Sequence, residues 1–285
     1  CVHADTPHAR EVTERIHRAW LAVTGTACVR IATHEPIPAD THAIFAVGGD
    51  GFLLELVRAR PSGIHIPICG WNAGHVGFHM NDVPEHDAGL QHVLHAVARG
   101  DVDCETLYPL VATLEGPRMT SASVIAFNEI ALTAREPGHV LRLALAIDVH
   151  PFGTHSGDGL IVASPQGSTG WAIAVGGPAV HPDVRAMVVA PINPHPAVRF
   201  AQMLFPFVAP PTVAIAVDVL ESEKRPATVS VDGHRYDGIH RVVVRTEFPQ
   251  SDARIVQLIS PRDPSGRNRF FRRVEEKFLR PTPTT

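Results

Sequence analysis

Residues 43–51 read AIFAVGGDG, an apolar run that ends in three glycines and one aspartate. A helical apolar pattern begins directly afterwards at Phe52-Leu53-Leu54, so the stretch predicts a strand, a loop and a helix. Glycines let a ligand approach the backbone, and the free N–H groups at the start of a helix favour an anion. The loop containing Gly48, Gly49 and Gly51 therefore suits phosphate.

Asp50 lies inside this glycine loop, where its carboxylate would repel a phosphate group unless it had a task there. It could hold a metal ion or take a proton from an attacking hydroxyl, and a phosphotransferase needs both. The alternative is a tight strand-to-helix turn in which Asp50 caps the helix. Both interpretations stay open from the loop alone.

Composition limits the classes of protein to which the chain can belong. Its 285 residues, 45% of them hydrophobic, suffice for two moderate domains, and the net charge of -4 argues against a nucleic-acid surface. Cys1, Cys28, Cys69 and Cys104 form no CxxC pair, which argues against a zinc site or a disulfide framework. No apolar run approaches the roughly 20 residues that cross a bilayer. We expect a soluble, cytoplasmic protein.

The pattern up to about residue 104 alternates between strands and helices. The predicted elements are a helix from Thr6-Pro7 to Gly25, strands at 28–32, 43–47 and 64–69, and a helix closed by Gly100. Such alternation implies a parallel sheet, whose carboxyl edge usually binds ligands. A second glycine-rich loop at residues 70–78, which contains Asn72 and Gly74, follows the third strand. Two such loops could line one cleft.

Beyond about residue 105 the apolar period changes to two, as at residues 141–147 and 213–219. Asp232-Gly233 predicts a hairpin turn, further strands are predicted at 242–244 and 255–259, and a last helical stripe could pack back on the first domain. The predicted fold class is α/β plus β. An N-terminal Rossmann-like α/β domain (1–104, completed by 265–285) precedes a C-terminal β-rich domain (105–264).

Polar residues are concentrated in the segment GDGLIVASPQGSTGW at residues 157–171. Ser164, Gln166, Ser168 and Thr169 supply neutral donors and acceptors, which suit the edges of a base or the hydroxyls of a ribose. Asn128-Glu129 interrupts an apolar strand, and a Glu can hold two vicinal hydroxyls while an Asn can read an adenine edge. The alternative is a Ser/Thr-rich turn and an exposed strand position.

Taken together, the motifs resemble the NAD kinase family in content and in order. They are Gly48-Gly49-Asp50-Gly51, Asn72-x-Gly74-x-x-Gly77-Phe78, Asn128-Glu129, Asp158-Gly159, Ser164-Pro165-x-Gly167-Ser168-Thr169, Gly176-Gly177-Pro178, Pro191-Ile192-x-Pro194-His195 and Asp232-Gly233. Diacylglycerol, sphingosine and 6-phosphofructokinases resemble only the first loop. The resemblance implies a kinase with its active site in the cleft between the two domains.

The resemblance also implies a role for each matched residue. Asp50 would be the general base on the 2′-hydroxyl of the adenosine ribose of NAD, Asn128 and Thr169 would bind adenine, and Glu129 the other ribose. The phosphates of ATP, with Mg²⁺ or another divalent metal, would bind at Gly48, Gly49, Gly51, Asn72 and Gly74. The remaining residues expected on the acceptor side are Asp158, Ser164, Gln166, Ser168 and Trp171. Metal ligands stay unassigned, and the family implies a homodimer or homotetramer.

Several positions depart from the family pattern. Phe52 replaces a Thr after the first loop, Gln166 replaces a small Thr, Gly170 an Ala and Trp171 a Tyr, while Ser156 stands near a frequent Arg. Because most of these lie where the acceptor would bind, three hypotheses follow. The first is an ATP-dependent kinase that makes NADP from NAD. The second is a kinase of another nucleotide, nucleoside or polyol, and the third is a dinucleotide-binding sensor without catalysis. Polyphosphate stays open as the donor.

Overall fold

The computed structural model of the chain describes residues 1–60, 64–74, 77–117, 119–195, 205–246, 256–262 and 266–279. The chain divides into two units, one formed by residues 1–107 and 254–285 and the other by residues 108–253. No helix in the described ranges is both long enough and apolar enough to cross a membrane.

The secondary-structure elements in these ranges are as follows. The helices are α1 (Pro7–Thr24), α2 (Asp50–Arg58), α3 (Asp87–Ala98), α4 (Trp171–Ala174) and α5 (Arg269–Val274), with a 3₁₀ turn at Gln166–Thr169 and a π-helical turn at Glu275–Leu279. The strands are β1 (Val2–His3), β2 (Ile44–Gly48), β3 (Ile68–Asn72), β4 (Val102–Leu107), β5 (Leu110–Gly116), β6 (Met119–Ala126), β7 (Glu129–Ala134), β8 (Leu141–Ile147), β9 (His150–Gly157), β10 (Gly159–Ala163), β11 (Met187–Ile192), β12 (Phe207–Ala209), β13 (Ile215–Val219), β14 (Ala227–Val231), β15 (His234–Ile239), β16 (Arg241–Thr246) and β17 (Val256–Pro261).

The first unit is built on a five-stranded sheet in the order β1-β2-β3-β17-β4. The first four of these strands are parallel and β4 is antiparallel to β17. Helix α1 begins as the sequence predicts, with the Thr6 hydroxyl accepting the N–H of Ala9, and ends at Gly25 in the left-handed region. Its buried stripe and that of α3 pack around Phe45 and Trp71. The glycine loops follow the carboxyl ends of β2 and β3.

The second unit consists of two antiparallel sheets of six strands each, in the orders β12-β11-β10-β7-β14-β15 and β6-β5-β16-β13-β8-β9. Alternate residues such as Leu141, Leu143 and Leu145 on β8 are buried in a core to which both sheets contribute. An α/β unit and a β-rich unit are therefore present, and the predicted fold class is confirmed.

Three local predictions differ from the structure. Residues 28–32 form no strand, and the strand predicted at 64–69 begins only at Ile68 and continues to Asn72. The strand predicted at 255–259, whose residue 255 lies outside the described residues, is β17 in the sheet of the first unit, although the sequence places it in the β-rich region. Its residue Leu258 pairs with Ile68 on one side and with Glu105 on the other. The alternating pattern of β17 specifies a strand but not its partners.

Candidate active site

Asp50 lies between the two glycine-rich loops of the first unit. Strand β2 ends at Gly48, Gly49 precedes the helix without a side-chain capping bond, and Asp50 is the first residue of α2. The two carboxylate oxygens of Asp50 accept backbone N–H groups of the second loop, from Phe78 at 2.8 Å and from His79 at 3.1 Å. The carboxylate therefore joins the two loops and does not cap α2.

The glycines around Asp50 leave room where side chains would interfere. A Cβ on Gly77 would lie only 2.7 Å from Asp50 Oδ1, so the second loop reaches the carboxylate because residue 77 is glycine. A Cβ on Gly49 or Gly51 would meet no atom of the described residues within 4 Å. The backbone at the start of α2 is therefore open on that side, as an anion-binding helix start requires.

Asn72 and Gly74 lie beside this helix start. The Gly74 N–H donates to Asn72 Oδ1 at 3.0 Å, and the Ala73 N–H donates to the carbonyl oxygen of Gly48 at 2.9 Å. The structure thus brings together the residues that the sequence assigns to phosphate, which are Gly48, Gly49, Gly51, Asn72 and Gly74. In the described part of the chain, no group of three or more His, Cys, Asp or Glu side chains is arranged to hold a metal ion.

In the second unit, residues 127–129 link β6 to β7 and carry the Asn128-Glu129 pair; we call them the 127–129 corner. All three backbone N–H groups of this corner donate to the carboxylate of Asp232, at 2.7, 2.8 and 3.1 Å. On the other side, the Ser164 hydroxyl donates to the carbonyl oxygen of Phe127 at 2.5 Å, and the Ser164 N–H donates to that of Asn128 at 2.8 Å. The corner is therefore held from both sides.

The side chains of Asn128 and Glu129 in this corner have polar atoms available for a ligand. Oδ1 of Asn128 is buried and has no hydrogen-bond partner among the described residues. Burial raises the pKa of Glu129 to about 7, and the negative charge of Asp232 adds to the shift. A Cβ on Gly170 would lie 3.5 Å from Glu129 Oε2, so the carboxylate lies beside the start of α4. A buried acceptor without a partner and a carboxylate of raised pKa are typical of a ligand site.

Comparisons with known proteins agree with this geometry. Residues 127–255 match the model of the ATP-NAD kinase C-terminal domain. An NAD kinase of Methanopyrus kandleri is 33% identical over 241 residues, which cover 85% of this chain and 79% of that protein. An NAD kinase of Heliobacterium modesticaldum is 34% identical over 290 residues, 96% of this chain and 95% of that protein. The chain belongs to the NAD kinase family.

Solved structures of NAD and NADH kinases share the fold. Yeast NADH kinase complexed with NADH superposes with a TM-score of 0.78 at 21% identity, covering 100% of this chain and 89% of the yeast chain. An NAD kinase from Archaeoglobus fulgidus in complex with ATP gives a TM-score of 0.67 at 25% identity, covering 96% of this chain and 97% of the archaeal one.

Two departures from the NAD kinase pattern are packed inside the protein. Phe52 is only 9% exposed, and its Cδ1 lies 2.7 Å from the position of a Cβ on Gly48, so its ring covers that glycine. Gln166 is 5% exposed, and its Nε2 donates to the carbonyl oxygens of Tyr108 at 2.9 Å and Phe127 at 2.7 Å. Gln166 thus supports the 127–129 corner.

The other predicted acceptor residues of the NAD kinase pattern lie in different environments. Ser168 is fully buried, and its hydroxyl donates to the carbonyl oxygen of Pro165 and accepts the N–H of Val180 at 2.8 Å. The hydroxyl of buried Thr169 donates to the carbonyl oxygen of Gln166 at 3.3 Å. Asp158 is exposed and accepts from the Asn193 amide at 2.8 Å, while Trp171 is 39% exposed.

Sequence reasoning missed the residues that hold others in place. The sequence predicts a hairpin turn and a family match at Asp232-Gly233 but no contact with the 127–129 corner, and it predicts no contact of Gly77, Phe78 or His79 with Asp50. Two signals were available: the hairpin turn carries a carboxylate where Asn-Gly would suffice, and Gly77-Phe78 is part of the family motif. Neither signal names its partner, because 103 residues separate Asp232 from Glu129 and 28 separate Phe78 from Asp50.

Proposed function

We propose that the protein is an ATP-dependent kinase that phosphorylates the 2′-hydroxyl of the adenosine ribose of NAD, giving NADP. The observation that carries the proposal is the position of Asp50, whose carboxylate accepts two backbone N–H groups beside an open helix start. A carboxylate has about four lone-pair sites, so two accepted bonds leave capacity to take a proton. Membership of the NAD kinase family supports the assignment.

On the donor side, the phosphates of ATP bind to the backbone of Gly48, Gly49 and Gly51, with Asn72 and Gly74 beside them. The glycines expose N–H groups at the positive end of α2, which favours anions. A divalent metal, Mg²⁺ or another, would neutralise the charge on the phosphates during transfer. Asp50 lies directly after Gly49 at the start of α2, and carboxylate oxygens are ligands that such a metal prefers.

On the acceptor side, Asn128 and Glu129 make the direct contacts. The unpartnered Oδ1 of Asn128 suits the exocyclic amine of adenine, and the Glu129 carboxylate suits the two hydroxyls of the other ribose. Thr169, Asp158 and the half-exposed ring of Trp171 complete the acceptor side in this proposal. Ser164, Gln166 and Ser168 act differently, since their polar atoms bind the protein backbone, and we assign to them the shape of the acceptor site.

In this mechanism the protein forms no covalent bond with either substrate. Asp50 accepts the proton of the 2′-hydroxyl while the 2′-oxygen of the ribose attacks the terminal phosphorus of ATP, and ADP leaves. The bond from phosphorus to the bridging oxygen of ADP breaks while the new ribose ester forms. Such transfer depends mostly on alignment and charge neutralisation.

The test is transfer of the γ-phosphate of labelled ATP to a panel of acceptors. The panel contains NAD, NADH, free nucleosides and a polyol, and polyphosphate replaces ATP in a parallel series. We expect NAD to have the highest kcat/KM with ATP as donor. Faster transfer to a nucleoside or polyol would favour the second hypothesis, and no transfer to any acceptor, with NAD still bound, would favour a sensor.

We also propose a cytoplasmic homodimer or homotetramer. The four cysteines, Cys1, Cys28, Cys69 and Cys104, are all free thiols, which fits a reducing compartment. Light scattering coupled to size-exclusion chromatography tests the assembly, because a mass near that of one 30.8 kDa chain would contradict it.

A further inference from the structure

Asp232 occupies the first position of a two-residue hairpin turn. Val231 on β14 pairs with His234 on β15, so Asp232 and Gly233 alone form the connection. Both have positive φ, 44° and 85°. Turns of this kind accept Asn-Gly and Gly-Gly as readily as Asp-Gly. The turn therefore explains the conformation of residue 232 but does not require its negative charge.

The charge has another use, because three consecutive N–H groups converge on it. Oδ2 of Asp232 accepts from Phe127 at 2.7 Å, and Oδ1 accepts from Asn128 at 2.8 Å and from Glu129 at 3.1 Å. The Asp232 N–H returns a bond to the carbonyl oxygen of Glu129 at 3.1 Å. Hydrogen bonds to an ionised acceptor are about twice as strong as neutral ones. The carboxylate is therefore a strong anchor for this backbone.

The opposite side of the 127–129 corner is held by neutral groups. The carbonyl oxygen of Phe127 accepts from the Ser164 hydroxyl and the Gln166 amide, and the carbonyl oxygen of Asn128 accepts the Ser164 N–H. A Cβ on Gly167 would lie 2.1 Å from the Asn128 oxygen, so these two segments pack too closely to admit a side chain at residue 167. Every backbone polar group of the corner is thus bound, and Asp232 is the only charged anchor among these partners.

We propose that Asp232 is a positioning residue for the acceptor: it orients Asn128 and Glu129 and acts on the charge of Glu129, without touching the substrate itself. The inference rests on the proposed function, in which those two side chains bind the dinucleotide. It extends the site to a residue on a different hairpin.

The electrostatic part of the proposal follows from the neighbours of Glu129. On β10 its partner is Ala163, at the start of α4 it faces Gly170, and on the β14 side it meets Asp232. Of these only Asp232 is charged, and burial and Asp232 together raise the pKa of Glu129 to about 7. If ionised Glu129 binds ribose hydroxyls, NAD binding strengthens as pH rises through 7. Removing the charge of Asp232 lowers the pKa of Glu129 and moves that midpoint to lower pH.

The test compares Asp232→Asn and Asp232→Gly with the matched control Asp148→Asn. Both substitutions at 232 preserve a favoured turn, but Asn offers a single oxygen acceptor and Gly offers none. Asp148 also has positive φ, 55°, in a hairpin turn, and its Oδ1 accepts one backbone N–H, from Ala214 at 2.9 Å. It has no bond to the 127–129 corner, so the control makes the same chemical change away from the acceptor residues.

We expect both variants at 232 to raise the KM for NAD about tenfold or more, with the KM for ATP within about twofold of wild type, as loss of charged hydrogen bonds predicts. The pH midpoint of kcat/KM for NAD should fall in both variants, and Asp148→Asn should change neither quantity. In a Glu129→Gln background, Asp232→Asn should produce no pH shift.

Equal losses for NAD and ATP, or an unchanged pH profile in both folded variants, would overturn the positioning role. A melting curve for each variant identifies one that fails to fold, and the other variant then decides. If wild type did not phosphorylate NAD at all, the proposed function would fail, and NAD affinities of the variants by calorimetry would still decide the inference.

Discussion

Substitution of Gly77 by Ala tests whether the position of the Asp50 carboxylate matters for catalysis. The new Cβ would lie 2.7 Å from Asp50 Oδ1 and 3.3 Å from its Cγ, and this carboxylate is fixed by backbone N–H groups of Phe78 and His79. Relief to an ordinary contact of 3.4 Å requires a displacement of about 0.7 Å. The loop or the carboxylate must move, and either movement weakens the bonds from Phe78 and His79.

The expected effect of Gly77→Ala follows from this displacement. A misplacement of about 1 Å in a catalytic group can cost on the order of 10²-fold in rate, so we expect kcat to fall roughly 10- to 100-fold. The assay is steady-state transfer from ATP to NAD, with the KM of each substrate measured in the same series. Nucleotide affinities should change much less than kcat, since the open face at Gly49 and Gly51 is untouched.

Gly74→Ala is the comparison variant, because its Cβ would meet Asn72 Oδ1 at 3.7 Å, an ordinary contact that does not involve Asp50. We expect its kcat to stay within about threefold of wild type, with any effect confined to the KM for ATP. Wild-type kcat in Gly77→Ala, in a protein shown to be folded by its melting curve, would refute the reasoning.

Three further predictions concern single residues. Asp50→Asn should abolish phosphoryl transfer while nucleotide affinity stays within about tenfold, since the carboxylate acts as base more than as ligand; turnover near wild type would remove Asp50 from that role. Glu129→Gln should remove a pH dependence of stability. The pKa of Glu129 is raised from 4.5 to about 7, so between these pH values the folded protein binds one proton more than the unfolded chain, and the free energy of unfolding of the wild type falls as pH rises. Chemical denaturation of both proteins at several pH values measures this dependence, and the same dependence in Glu129→Gln as in wild type would contradict the prediction. Gln166→Thr should lower the melting temperature by loss of two hydrogen bonds to the backbone and should raise the KM for NAD more than the KM for ATP, because Gln166 supports the 127–129 corner; a KM for NAD equal to that of wild type would remove Gln166 from this role.

The element order of the first unit could be predicted from sequence because its signals are local. The apolar run at 44–48, the glycines after it and the stripe of α2 follow each other directly, and Thr6 and Gly25 mark both ends of α1. The placement of β17 could not be predicted in this way. Its alternation specifies a strand with buried residues on one face, while its partners lie on β3 and β4, more than 100 residues away.

In the candidate site too, some residues can be recognised from local sequence and others cannot. The candidate residues Asp50 and Asn128-Glu129 stand out in the sequence, because a carboxylate lies in a glycine loop and a polar pair interrupts an apolar run. Their supports do not stand out, because the three N–H groups that bind Asp232 are backbone atoms and carry no sequence signature. The backbone contacts of Gln166 are hidden for a related reason: its amide suggests a ligand, and only the structure shows that Nε2 donates to the carbonyl oxygens of Tyr108 and Phe127.

The central claim is that this chain transfers the γ-phosphate of ATP to the 2′-hydroxyl of NAD with Asp50 as base. The most direct measurement incubates the protein with γ-labelled ATP, Mg²⁺ and NAD, and identifies the product with an NADP-specific dehydrogenase. We predict labelled NADP in stoichiometric balance with ADP for wild type, and none above background for Asp50→Asn. Absence of NADP with the wild-type protein, or equal amounts with both proteins, would contradict the account.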